Sequence, residues 1–169
     1  MSRTQPRLVV VLPLEPLAVG GSFDVASWPL HVTVVPPFVP TAPFETVEEL
    51  VVRVAAEHRC FEVAIGPEAM FGRRGDILVN LVAAHPALDA LHDGLREALR
   101  VVAQPASHPN HRFSPHVTAK RHARVHEGEV HVLSQVAVVD MAPRAHPGGR
   151  VVLAVAPLAE QGTATHSTT

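Results

Sequence analysis

Tyrosine is absent from this chain, cysteine and tryptophan occur once each, and six phenylalanines complete the aromatic and thiol set. So few rings cannot tile a multi-base stacking platform, which argues against a broad binder of single-stranded nucleic acid. A lone Cys60 cannot close an internal disulfide; at the head of an apolar strand it reads as a small buried residue in a reducing compartment. Positive charge is not in excess either. Against 16 Asp and Glu stand 14 Lys and Arg, a net charge of −2, so any anion site has to be local. Long apolar runs are also missing: Leu8 to Leu12 is cut off by Pro13, Glu15 and Pro16, too short for a signal-peptide core or a membrane span. Together these absences predict a cytoplasmic protein, expected to be a monomer, with no membrane contact and no extended nucleic-acid surface.

What is present suits one compact domain. With 169 residues, 47% of them hydrophobic, the chain can bury about 68–70% of its unfolded surface. Residues 1–159 are expected to form a single two-lobed domain, and 160–169, small and polar, a flexible tail.

The pattern of apolar residues predicts strands at Arg7–Leu14, Trp28–Val35, Phe61–Ile65, Ile77–Val82, around His116, at Val130–Met141 and at Arg150–Pro157. Pro36-Pro37 should end the second of these, because proline cannot donate to a ladder. Thr46-Val47-Glu48-Glu49 reads as a capping box opening a helix to about His58, with Val47, Leu50, Val51, Val54 and Ala55 as its apolar stripe. Pro86 suits the first turn of a second helix, striped by Leu88, Leu91, Leu95, Leu99 and Val102. Gln104 to Arg112 and Pro143 to Gly149 read as loops. Strands outnumber helices, which predicts an α+β fold: two pseudo-symmetric lobes of antiparallel sheet with outer helices, forming a central cleft.

One tripeptide occurs twice, about half the chain apart: His31-Val32-Thr33 and His116-Val117-Thr118. On a strand, alternate side chains share a face, so each copy presents an imidazole beside a hydroxyl while its Val packs behind. Each copy also has an aromatic three residues before its His (Trp28, Phe113) and a proline close by (Pro29, Pro115). Two histidines across a cleft can hold one proton between them near neutrality, one accepting and one donating. In-line cleavage of a phosphodiester needs that pair, a base for the water and an acid for the departing alkoxide, and it needs no metal or other cofactor. The hydroxyls of Thr33 and Thr118 could then bind the non-bridging oxygens as charge develops.

The paired His-x-Thr strands resemble those of the two-histidine (2H) phosphoesterase superfamily, and Phe113-Ser114-Pro115-His116-Val117-Thr118-Ala119-Lys120-Arg121 is similar to the second motif of its bacterial RNA 2′,3′-cyclic phosphodiesterase, or 2′-5′ RNA ligase, branch. The resemblance implies that His31 and His116 are the catalytic acid and base, with His116 activating water and His31 protonating the leaving oxygen. It implies further that Thr33 and Thr118 bind phosphate and that Arg121 contacts it. Strict alternation puts Lys120 on the catalytic face as well, and Phe38 follows the first motif closely enough to line the cleft. The implied activity is a cyclic phosphodiesterase acting on a nucleotide or RNA end. Two rival readings are a silent nucleotide- or RNA-binding module and a zinc hydrolase built on His108, His111, His122, His126 and His131, although no His-Glu-x-x-His or Cys-x-x-Cys spacing appears. Arg73, Arg74, Arg112 and Arg124 read as solvated loop charges.

Overall fold

The computed structural model of the chain describes residues 5–24, 26–105, 112–141 and 149–160. In order the elements are β1 (Leu8–Pro13), β2 (Ser22–Phe23), β3 (His31–Pro40), α1 (Phe44–Ala56), β4 (Phe61–Phe71), β5 (Ile77–Val82), α2 (Pro86–Leu99), β6 (Ala103–Pro105), β7 (His116–Thr118), β8 (Val130–Leu133), β9 (Gln135–Asp140) and β10 (Arg150–Pro157). The strands form one antiparallel sheet in the order β2-β10-β9-β1-β3-β7-β5-β4-β8, with β6 on the far end of β3. The two expected lobes are the halves of this sheet on either side of the β3–β7 pair. Ser134 alone joins β8, at one end of the order, to β9, near the other. A one-residue link between opposite ends requires the sheet to curl until they approach.

Period-two alternation sorts the side chains onto two faces. Leu8, Val10 and Leu12 of β1 face the helices together with Val32, Val34, Val117 and Val138, and there they meet Val47, Val51 and Val54 of α1 and Leu88, Leu91 and Leu95 of α2. Val9 and Val11 point the other way, into a smaller cluster with Trp28, Ala137, Val139 and Val152. A strand buried on both faces explains the unbroken Val and Leu run of β1. Both helices lie on one side, α1 against β9 and β10 and α2 against β3, which leaves the opposite face as the cleft.

Several boundaries differ from the sequence expectation. β3 does not stop at Pro36-Pro37 but pairs as far as Pro40. Its partners on β1 run Val11↔Thr33, Val10↔Val35 and Leu8↔Phe38, so β3 carries an extra residue at Val34 and another within the proline pair, where the ladder is already irregular and asks for no donor. α1 starts at Phe44, with Pro43 as its N-cap and no side-chain cap. Thr46 already lies inside the first turn, its N–H bonded to the Pro43 carbonyl, so the capping box is not used. The expected strand Val130–Met141 splits at Ser134, because β8 pairs with β4 in one lobe and β9 with β1 and β10 in the other. Gln104 and Pro105, expected in a loop, form part of β6 against β3. α2 begins at Pro86 as expected, and the His85 ring nitrogen accepts from the Ala87 N–H at 3.0 Å. Residues 106–111, 142–148 and 161–169, which hold most of both expected loops and nearly all of the expected tail, lie outside the described residues.

Candidate active site

The β3–β7 contact is a single register pair, Val32 opposite Val117, antiparallel. Continued by one residue each way, that register sets His31 across from Thr118 and Thr33 across from His116. The two His-x-Thr units are thus related by a local two-fold axis through the valine pair. Both valines are buried on the helix side, which turns the four polar residues onto the cleft face. Diagonal neighbours of this kind lie about 7–8 Å apart, room for a phosphate between two imidazoles. Neither threonine hydroxyl has a hydrogen-bond partner among the described residues.

Each histidine is anchored in the same way. His31 Nδ1 lies 2.8 Å from the carbonyl oxygen of Pro29, and His116 Nδ1 lies 2.8 Å from that of Ser114, in both cases two residues upstream. A carbonyl can only accept, so each Nδ1 carries the proton and donates it. In a neutral ring Nε2 is then the lone-pair nitrogen; in a charged ring it is a donor. The prolines beside the motifs accompany this geometry: Pro29 supplies the accepting carbonyl itself, and Pro115 uses its own carbonyl to bind Val82 N–H.

The walls around the two rings differ. The Trp28 indole stacks on His31 with centroids 4.4 Å apart and planes 29° from parallel, whereas Phe71 meets His116 edge-on at 4.7 Å. Lys120 Nζ and the Arg150 guanidinium lie over the same Trp28 ring, at 5.8 and 5.4 Å from its centroid. Burial under this cover pushes the His31 pKa down to about 4; the positive charges of Lys120 and of a protonated His116 add to it, against the Pro29 carbonyl. Lys120 is itself pushed down, first by burial and then by Arg150.

Of the other residues singled out in the sequence, Lys120 lies at the cleft and Arg121 does not. Lys120 and Ala123 bridge a two-residue turn, and Arg121 is exposed on it. Phe38 does not line the cleft: it shares the even-numbered face of Val32 and Val34, the two irregularities in β3 cancelling in parity, and is 3% exposed in the main core. Phe113 also leaves the cleft, stacking on buried His92 at 3.8 Å. Among the described residues no three His, Cys, Asp or Glu side chains converge as metal ligands. His126 and His131 instead share the carboxylate of Glu129, at 3.1 and 2.9 Å, while His108 and His111 lie outside the described residues. Arg73, Arg74 and Arg112 are exposed, and Arg124 pairs with Glu68. Sequence reading missed Phe71 and Arg150. Continuing the Phe61 alternation would put Phe71 on the core face; the extra residue of β4 between Ile65 and Glu68 turns it to His116 instead, and nothing local marks Arg150, which reaches Trp28 from a strand that only the fold brings alongside.

No curated protein sequence matches the chain. Solved structures share its fold at low identity. The E. coli LigT protein in complex with 3′-AMP superposes with a TM-score of 0.60 at 16% identity, covering 91% of this chain and 98% of that one. The Thermus thermophilus protein TT0787 does so with 0.59 at 20%, covering 92% and 100%. A protein described as a phosphoesterase gives 0.57 at 15%, covering 92% and 99%. The family model of the 2′-5′ RNA ligase superfamily matches residues 11–131, a span that includes both His-x-Thr strands. By that match the chain belongs to the 2′-5′ RNA ligase superfamily of two-histidine phosphoesterases.

Proposed function

We propose that this protein is a metal-independent phosphoesterase that hydrolyses a cyclic or 2′-5′-linked nucleotide phosphodiester, with 2′,3′-cyclic phosphate to 2′-phosphate as its reference reaction. The observation that carries this reading is the two-fold pairing of the His-x-Thr units, each with Nδ1 tied to a carbonyl and Nε2 left for the substrate. One Nε2 takes a proton from water as its oxygen bonds to phosphorus. The other gives a proton to the 3′-oxygen as the P–O3′ bond breaks. The proton count is unchanged, and the pair ends with its charge exchanged. Thr33 and Thr118, one from each strand, donate to the non-bridging oxygens, and Lys120 faces the same charge. Arg121 would have to swing in from its exposed turn to join them. Solved complexes of the E. coli relative with 3′-AMP, ATP and NADP+ are consistent with a phosphate-bearing nucleotide as substrate.

The resemblance makes His116 the base and His31 the acid. In the free protein His31 is neutral at pH 7, which is the acceptor state. For His31 to act as the acid, the negative charge of the bound phosphate has to bring the proton with it, so substrate binding and proton uptake become one event. The test is turnover of adenosine 2′,3′-cyclic phosphate by the wild type, His31→Ala and His116→Ala, each with and without EDTA. Turnover indifferent to EDTA and lost in both variants is expected. Loss in EDTA would point to a zinc hydrolase, and nucleotide binding without any turnover to a silent binding module.

A further inference from the structure

We infer that His92, buried behind the sheet on α2, is a positioning residue for His116: tied by Nδ1 to the Val34 carbonyl of β3, its ring is the platform on which Phe113 stacks, and Phe113 holds in place the Ser114 carbonyl that sets the His116 tautomer. Its effect on turnover rests on the phosphodiesterase reading, whereas the relay itself does not.

Among the described residues Asn80 and His92 are the polar side chains buried in the core, and each holds a carbonyl beside a strand irregularity. Asn80 Nδ2 donates to Gly66 at 3.1 Å in the bulge of β4. His92 Nδ1 donates to Val34 at 2.7 Å. Val34 is the extra residue of β3 against β1, and β7 pairs with β3 at Val32, so a side chain from the helix layer takes its carbonyl. His92 sits in the buried stripe of α2, between Leu91 and Leu95, where burial alone would be served by another leucine. The imidazole adds an N–H and a flat face, and both are used.

Phe113 lies on that face with centroids 3.8 Å apart and planes 5° from parallel. Ser114 follows directly, and its carbonyl accepts from His116 Nδ1 at 2.8 Å. Beyond it the Pro115 carbonyl accepts from Val82 N–H at 2.9 Å. The exposed Ser114 is therefore held between two fixed points, the ring stack before it and the bond to β5 after it. Pro115 narrows its freedom further, because proline fixes its own φ and restricts the residue before it. A ring released from its carbonyl is free to carry the proton on Nε2 instead, and in that tautomer it cannot take one from water. His31 has a different cover: Trp28, also three residues before its histidine, stacks on the His31 ring itself.

Two substitutions separate the platform from its tether. His92→Asn keeps an N–H where Nδ1 stands and loses the flat face, whereas His92→Phe keeps the face and loses the N–H. Phe113→Leu removes the same stack from the other side. Nitrogen-15 NMR at alkaline pH, where imidazoles are neutral, reads the tautomers, with His116→Gln and His31→Gln assigning the signals and thermal melting showing that each variant is folded. Wild-type His31 and His116 should both carry Nδ1–H. His92→Asn and Phe113→Leu should each move His116 toward Nε2–H, leave His31 as it was, and lower kcat on adenosine 2′,3′-cyclic phosphate by about 10–100-fold with KM within about threefold. Joining the two should add little, because each breaks the same contact. His92→Phe should keep His116 as Nδ1–H, and Leu99→Ala, a cavity seven residues further along α2, should leave both the tautomer and kcat unchanged. An unchanged His116 tautomer in folded His92→Asn and Phe113→Leu overturns the inference. So does an equal loss of kcat in Leu99→Ala, which would reduce His92 to core packing. Because the NMR needs no substrate, the tautomer change in a protein without turnover sinks only the proposed reaction, and full turnover with an unchanged tautomer sinks only the relay.

Discussion

His31 and His116 stand on paired strands, in identical tripeptides, with identical anchors at Nδ1, and yet they occupy different surroundings. His31 lies under an indole, close to two cations, and burial holds it uncharged down to about pH 4. His116 meets the edge of Phe71. Even the matching aromatics diverge: Trp28 folds across the cleft face onto its histidine, while Phe113 goes to the opposite side of the sheet and stacks on His92, whose Nδ1 is fixed by the Val34 carbonyl at 2.7 Å. The two-fold axis thus governs where the two Nε2 atoms and the two threonine hydroxyls are placed. What differs between the lobes is the cover: an indole and two cations over His31, the edge of a phenyl ring beside His116.

The largest expected effect tests whether the two halves work as one unit. His31→Ala and His116→Ala should each lower kcat on a cyclic phosphate by about 10²–10⁴-fold, and the double variant should be little worse than either. Multiplicative losses in a folded double variant would separate the halves. Next comes the asymmetry of the walls. Trp28 is 6% exposed within its own cluster, so Trp28→Ala should cost about 3–5 kcal/mol in denaturant unfolding, whereas Phe71→Ala, from a half-buried position, should cost clearly less. Equal costs would remove the structural distinction between the lobes.

The threonines test the symmetric side of the comparison. Thr→Val keeps the β-branch and removes the hydroxyl, so Thr33→Val and Thr118→Val should each reduce kcat by roughly a hundredfold to a thousandfold, about 2.7–4 kcal/mol, and by similar amounts. Thermal midpoints should hardly move, because neither hydroxyl bonds within the described protein. Full activity in Thr118→Val would make it a packing residue. The smallest effect is the pH dependence contributed by His31. Its folded pKa, about 4, lies below the unfolded value near 6.5, so above pH 6.5 both states are neutral and it contributes nothing. As the pH falls below 6.5 the unfolded chain binds the proton first, and stability declines until the folded ring also protonates near pH 4, a loss of up to about 3 kcal/mol. Subtracting the stability–pH curve of His31→Gln from that of the wild type isolates this contribution; a flat difference between pH 7 and 4 would mean that burial does not set the proton affinity of His31.

Much of this protein was determined by local patterns in its sequence. Apolar runs placed β1, β5 and β10, alternation placed the first half of β4, the leucine spacing and Pro86 placed α2, and the doubled His-Val-Thr put four polar side chains on one face, because these periods and runs need no tertiary information. Proline and capping rules misled at β3 and α1, where pairing from both neighbours carried the strand through Pro36-Pro37 and the helix began on Pro43 without a side-chain cap. The register pairing Val32 with Val117 was beyond reach, since it depends on two segments half a chain apart finding each other at one residue's precision. The same holds for Arg150 over Trp28, which depends on a strand order of β10-β9-β1-β3. The sequence alone determined which groups could do the chemistry; only the curled sheet decided how they face one another and which of them share a charge environment, because a side chain's contacts across strands follow from register and curvature.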